Sequence, residues 1–567
     1  MAVKKFRKYS NAGSMISNVN PLLLKDEDSE LLRNVSSETL GTWKKRLGTK
    51  LFGNQIVSSK NILGTHQFTS SDGASSIQLA VCSDGTNNDI YEIVSTTLNG
   101  AITTISTSII LTSGTDFASS GTIEIEGDLI TYTGKSTHTL TGVTGISFGH
   151  ASGVTARQWS KSLEDDTKNL KTRFVDFLDR AIRVNGTDAI KEFDGSSWST
   201  TGDPINPDDA PTGSLIETFI DRIYIAGNSS FPDRIYASSL PDVTGNISWD
   251  TSTNIIDKTG SNGFWIDINP EDGQNITAIE RNGTNLLIFK ERSIYTWNGT
   301  STQPDLLVDI GTISQESVIT IHNITFFIGR SKKNIGIYAY TGGYPKLISR
   351  KVKKWIDGID QSNLGNIKAG ADEDNIYFYI GTITFTGDDI YEDRISTNTW
   401  LVYNIAQDSW KAYDNLLPRA FGYFKSSGQE LLIFGDNNGK VFEFGQGETD
   451  DSGDSQTPIE MEIISREESF GAPEVPKELM QVDVLTRRGF NTNVNYRYDR
   501  REEFKSLGAV DGRFSTLDAP EKYDSDNRGK TLQIQFTDFS NYQSSIDGYT
   551  ISIDIEEKTR KPIKGKQ

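Results

Sequence analysis

Seven times along this chain an apolar strand runs into a turn rich in Gly, Asn or Asp and returns in a second strand carrying Tyr, Phe or Trp. The copies begin near Leu79 (LAVCSDGTNNDIYEI), Arg180 (RAIRVNGTDAIKEF), Arg222 (RIYIAGNSSFPDRIYAS), Leu286 (LLIFKERSIYTWNG), Ile324 (ITFFIGRSKKNIGIYAYTGG), Asn375 (NIYFYIG, returning as TWLVYNIAQDSW) and Leu431 (LLIFGDNNGKVFEF). The first strand of each is apolar on both faces, as a strand covered by sheets on either side must be. The turns supply residues that tolerate positive φ, as in Asn185-Gly186 and Asn438-Gly439. A hairpin of this kind cannot bury itself and needs neighbours. Steps of about 40 to about 60 residues are the spacing of four-stranded propeller blades. The first step, about 100 residues, implies an insertion. The alternative is a large antiparallel protein in which hairpins recur without a ring. The expected fold is therefore all-β, a β-propeller of six or seven blades, with the first or last hairpin able to belong to ring closure instead.

The flanks set the domain expectations. Residues 1–60 contain no clear hairpin and read as an N-terminal arm, with a short helix around Leu31, Leu32 and Val35 behind an acidic first turn. Residues 61–98 and 158–450 form the propeller. Residues 99–157 form an inserted small β domain, in which GTIEIEGDLITYTG alternates on either side of a turn at Glu126-Gly127-Asp128. The acidic stretch Gly445 to Thr457 reads as a linker or exposed loop. Beyond it, residues 457–567 carry separated alternating strands and fit a C-terminal β-sandwich.

A length of 567 residues exceeds one ordinary core. The formal charge of −19 gives a whole-chain field that repels nucleic acid and anionic membranes, which argues against a sequence-reading DNA binder. Basic runs stand out locally at Lys4 to Lys8, Lys44-Lys45-Arg46, Arg350 to Lys354 and from Lys558 onward, as solvated faces or contacts to acidic partners. The single cysteine, Cys82, excludes an internal disulfide and sits in an apolar strand where a buried thiol is expected. The basic N-terminus lacks the apolar run of a signal peptide, and nowhere are there 18 uninterrupted apolar residues. Synthesis and folding in the cytoplasm, without membrane insertion, are the expectation.

Familiar site chemistry is missing from the sequence. His66, His138, His150 and His322 show no metal-ligand spacing. Asp450 to Asp454 fails as a calcium loop, because Ser455 stands where Gly is needed and Met461 where a bidentate Glu belongs. No nucleophile elbow, phosphate loop or dinucleotide fingerprint is present. Acidic pairs such as Asp388-Asp389 and Glu164-Asp165-Asp166 leave a glycosidase pair open. The turn Phe193-Asp194-Gly195-Ser196-Ser197-Trp198 approaches a sialidase-type repeat without matching it and fits blade packing. Trp198, Trp249, Trp297, Trp400 and Trp410 fit either core anchors or sugar-stacking platforms. The expectation is no catalytic residue, no metal and no cofactor.

Three segments together resemble the β-propeller tail nozzle and tail hub proteins of tailed bacteriophages. They are NPLLLKDEDSELLRNV with LGTWKKRLGT near the start; SSGTIEIEGDLITYTG, LTGVTG and HASGV in the insert; and RGKTLQIQFTDFS with IDGYTISIDIEEKTRKP at the end. The resemblance implies a structural virion protein without catalytic residues. Six identical subunits would form a ring around the DNA exit channel of the virion tail, contacting portal or adaptor and tail fibre proteins. Genomic DNA would pass without sequence recognition, and the N-terminal arm and basic runs would be docking elements. The alternatives are a virion adhesin whose propeller binds host glycan and a carbohydrate-active propeller hydrolase.

Overall fold

Every one of the seven hairpins forms in the computed structural model, and each is flanked by one strand on either side. The structure describes residues 4–8, 13–36, 41–73, 76–249, 260–332, 334–385, 394–426, 428–451, 455–488, 491–500, 503–519 and 528–555. Its elements are nearly all strands in many sheets, and the α-helix Lys353–Asp357 spans five residues.

The leading strands of the seven units are β1 (Ile62–Thr69), β2 (Arg173–Phe177), β3 (Leu215–Phe219), β4 (Ile276–Asn282), β5 (Val318–Ile321), β6 (Lys368–Ala371) and β7 (Ala420–Ser426). They touch in cyclic order, and β7 returns to β1. That last junction is hydrogen-bonded: Thr65 Oγ1 donates to the Phe421 carbonyl at 2.9 Å and Gln67 Nε2 to the Lys425 carbonyl at 3.0 Å. Between β6 and β7 the Ala371 amide donates to the Tyr423 hydroxyl at 3.1 Å. Aromatic and aliphatic side chains fill the gaps between units, as Phe289 does against Phe327 at 5.2 Å. The turn at Gly439 shows why glycine is needed there. Its φ is +71°, and a Cβ would lie 2.0 Å from the Val57 carbonyl.

The first 60 residues do not form a separate arm. Thr49–Leu51 pairs with Val441–Phe444 and supplies the fourth strand of the seventh unit. Val35–Ser36 and Trp43–Lys45 pair with each other, and Trp43–Lys45 also pairs with Ser545–Ile555. The expected helix around Leu31 is instead the strand Ser29–Arg33. It lies parallel to Ser409–Tyr413 of the sixth unit on one side and antiparallel to Met461–Ser465 on the other. Leu31 and Leu32 are both buried, so both faces of this segment are covered. A half-exposed helix would leave one of them in water, and tertiary pairing overrides the local propensity. The helical element nearby is the 3-10 turn Pro21–Leu23, capped by Asn20.

Ser29–Arg33 thereby joins two regions into one nine-stranded sheet, running from β6 to Lys505–Ala509. A second sheet, containing Lys477–Arg487, Phe514–Asp518 and Ser545–Ile555, shares its core. Trp43, Phe536 and Tyr549 pack at its centre, with ring centroids 5.1 to 6.3 Å apart. The same continuous core reaches Trp355, Phe378 and Trp410 in and beside the sixth unit. The expected linker is also structured in part. Thr449–Asp451 pairs with Gln456–Pro458 and, at Asp450, with Thr49, while residues 452–454 lie outside the described residues. In the insert, Gly121–Ile125 and Asp128–Tyr132 extend the first unit through Thr155–Thr167, and a three-stranded sheet shares their core. The turn falls at Glu126-Gly127, both with positive φ.

Candidate functional site

Because the seven leading strands touch in cyclic order, a charged residue near their starts meets charges from neighbouring units. Lys171 and Arg173 stand at the start of β2, Glu316 in the turn Gln315–Ser317 before β5, Lys368 at the first position of β6, and Arg419 just before β7. Lys171 Nζ lies 3.0 Å from Glu316 Oε2 and 3.0 Å from the Gly365 carbonyl. Arg173 pairs with the other Glu316 oxygen and donates to the Ser214 carbonyl at the head of β3. Ser314 Oγ, 3.0 Å from Glu316 and 3.0 Å from the Ile367 carbonyl, ties the turn to the residue before Lys368. Burial alone would raise the Glu316 carboxyl, but Arg173, Lys171 and Lys368 hold it well below the usual carboxylate range.

Lys368 is buried, 5% exposed, and its ammonium makes no hydrogen bond or ion pair among the described residues. Burial pushes it down to about 8; Glu316 opposes that shift, while Lys171, Arg173 and Arg419 add to it. The Nε atoms of Arg173 and Arg419 are buried without partners. The cluster thus holds four cations around one carboxylate that two of them already neutralise.

Deeper along the axis Glu217 of β3 and Glu280 of β4 form an acid pair. Burial, with the Glu217 charge added, pushes Glu280 up to about 8. Burial raises Glu217 to about 7 against the pull of the Thr218 amide, which donates to it at 2.8 Å, and of Arg281. Thr320 of β5 hydrogen-bonds Glu280 and moderates its shift. At near-neutral pH such a pair holds at least one proton, so it can donate or accept hydrogen bonds inside the ring.

The sequence-singled residues fall elsewhere. His66 Nε2 meets Asp176 at 2.6 Å between β1 and β2. His150 is buried between Glu126 at 2.9 Å and Asp128 at 3.2 Å. His138 accepts from the Gly114 amide, and His322 lies 3.0 Å from the Glu373 carbonyl. Among the described residues no three or more His, Cys, Asp or Glu are grouped to hold a metal. Cys82 is fully buried and its thiol is pushed up to about 12 by burial. Trp249, Trp297, Trp400 and Trp410 are buried and donate to carbonyls at 2.8 to 3.2 Å, so these four anchor the core. Trp198 is half-buried against Phe193. Asp194 accepts from the amides of Ser196 and Ser197, a self-contained turn. Asp166 is buried against Arg183 and Lys191, whereas Asp388 and Asp389 lie outside the described residues.

The basic runs need correction. Lys45 and Arg46 are not exposed docking residues. Lys45 Nζ is buried 2.5 Å from Asp538, and Arg46 holds Asp450 through two nitrogens at 2.9 and 2.7 Å. Lys351 and Lys353 pair with Asp408 and Asp357 on the surface. Lys4–Lys8 is an edge strand on Ser545–Ile555, and the run from Lys558 lies outside the described residues. None of the axial charges was singled out in the sequence. Their signal is one charged residue at the head or centre of an otherwise uncharged short strand, as in KAGA and LIETF, and it acquires meaning only when the strands are arranged around an axis.

No family model and no curated protein matches this chain. Similar solved structures include a glycoside hydrolase at 10% identity and TM-score 0.22, covering 67% of this chain and 96% of that one. An exo-beta-1,3-galactanase from Phanerochaete chrysosporium, solved with galactose, gives 8% identity and TM-score 0.21 over 67% and 95%. The extracellular domain of the one-component system BT4673 from B. thetaiotaomicron gives 9% identity and TM-score 0.31 over 86% and 68%. Likeness at this level carries no argument about activity or partners.

Proposed function

We propose that this chain is a structural subunit of a phage tail, a nozzle or hub protein that forms a ring around the DNA exit channel and holds neighbouring tail parts. On this reading the seven units are the blades of a seven-bladed β-propeller closed by Thr49–Leu51, and the two C-terminal sheets are a β-sandwich. The supporting observation is the nine-stranded sheet in which Ser29–Arg33 joins the two regions, through Arg33 and Ala412 on one side and a four-pair antiparallel ladder to Met461–Ser465 on the other. A join of this kind, with one continuous core on both sides of it, resists hinge motion and transmits load. Catalytic domains that close on a substrate keep a hinge instead. The passing DNA is contacted without sequence readout, in line with a net charge of −19.

The hydrolase alternative has one favouring observation, the raised pair Glu217 and Glu280. The experiment that separates the two is imaging of the purified chain with its adaptor, alongside assays on host polysaccharide. A ring without turnover supports the structural role. A monomer that cleaves polysaccharide, with loss of cleavage in Glu280→Gln, replaces it.

A further inference from the structure

We infer that the mouth of the axial bore is an oxyanion-binding site, in which Lys368 and Arg419 hold a small doubly charged anion of the phosphate or sulfate type. The charge count comes first. Glu316 is already paired with Lys171 and Arg173, so the part of its single charge that Lys368 feels leaves an excess of positive charge at Lys368 and Arg419. Lys368 is 5% exposed and its ammonium has no hydrogen-bond acceptor among the described residues while keeping a path to water, and the buried Nε of Arg419 has no partner. An unmet buried Nε and a poorly hydrated ammonium are both costly, and a charge-assisted bond to an anion lowers the cost for both at once.

The position supports the same conclusion. Lys368 and Arg419 lead adjacent strands, β6 and β7, which touch where Gly370 faces Phe421. Lys171, on the far side of Glu316, is tied to the Gly365 carbonyl three residues before Lys368, so the cations converge from three units. Buried cations elsewhere in this chain have acceptors at hydrogen-bond distance, a carboxylate for Lys45 and Arg46 and backbone carbonyls for Lys477. The site needs no part of the tail assembly, and its test is independent of that role.

The probe is sodium sulfate, which carries no titrating proton of its own near neutrality. It is titrated calorimetrically into the full chain at ionic strength held constant with sodium chloride. One saturable site per chain is expected. Its affinity should fall by about tenfold or more in Lys368→Met and in Arg419→Gln, as loss of one charge-assisted contact requires. The groups facing Lys368 are Glu316, Lys171, Arg173 and Arg419. Among them Lys368 alone is placed to lose its proton near pH 8, so wild-type affinity should drop as pH rises from 7 to 9, and Lys368→Met should lack that dependence. Lys368→Met removes an unpaired buried charge, and retention of the wild-type unfolding midpoint or a higher one verifies its fold. No saturable heat in the wild type, or equal affinity in both folded variants, overturns the site.

Discussion

Two regions of this molecule bury basic side chains, and they treat them in opposite ways. Where the N-terminal segment is clamped between the ring and the C-terminal sheets, each buried cation meets acids. Lys45 meets Asp538, Arg46 meets Asp450, and Arg33 meets Asp414, Glu460 and Glu462. At the bore mouth the balance is lost, with four cations around Glu316. Matched charge fixes the register of a seam, whereas unmatched buried charge lowers stability and is kept only where something else selects for it. The clamp is therefore structural, and the cation cluster around Glu316 is the place to look for a ligand.

The largest expected effect lies in the clamp. Lys45→Met strands the Asp538 carboxylate in the interior and should cost about 3–5 kcal/mol, read as a lower urea midpoint. Asp538 also receives Thr492, at 2.9 Å, and the Ser540 amide. Burial opposes its ionisation, but Lys45 and the Ser540 hydroxyl and amide hold its carboxyl below the ordinary value. Its contribution is thus present above about pH 4 and should be lost as pH falls through the lower folded value.

The acid pair should behave in the opposite sense. Glu217 and Glu280 are raised to about 7 and about 8, so the folded chain binds protons there that the unfolded chain has released. Stability should fall as pH rises from about 4.5 to about 8. Glu280→Gln should remove much of that slope and stabilise the protein at pH 8 by roughly 1–2 kcal/mol after allowance for the water that reaches both side chains. A flat stability profile in the wild type would contradict the pairing. Smaller again, Lys368→Met should gain about 1 kcal/mol in sulfate-free buffer, where a loss would show that an unrecognised acid already satisfies this lysine. The smallest effect belongs to the exposed pair of Lys353 and Asp357, whose disruption by Lys353→Ala should change stability by less than about 0.5 kcal/mol.

The seven hairpins were readable from sequence because their signal is local: apart from the sixth, which returns late, apolar runs, turn residues and returning aromatics lie within about 20 residues of one another. The insert was readable for the same reason, from the alternation around Glu126-Gly127-Asp128. What escaped was non-local. Leu31 and Leu32 are spaced as readily for a helix as for a strand, and only Ala412 and Ile463, hundreds of positions away, decide between them. Thr49–Leu51 is too short to carry a strand pattern and becomes one by adding to Val441–Phe444. Lys45 and Arg46 read as surface charge because their acids lie 493 and 404 positions away. The axial cluster escaped because Lys171, Glu316, Lys368 and Arg419 sit on separate units, and each alone is an ordinary charged residue.

The central claim is that this rigid chain works as a ring subunit on the axis of a phage tail. A cryo-electron reconstruction of tail particles in which this chain carries a small fused label tests it directly. The account predicts six labels in a ring around the DNA channel, with the ring and the C-terminal sheets in one fixed orientation in every subunit. Labels on peripheral fibres, no label on the particle, or two regions in varying orientations would contradict it.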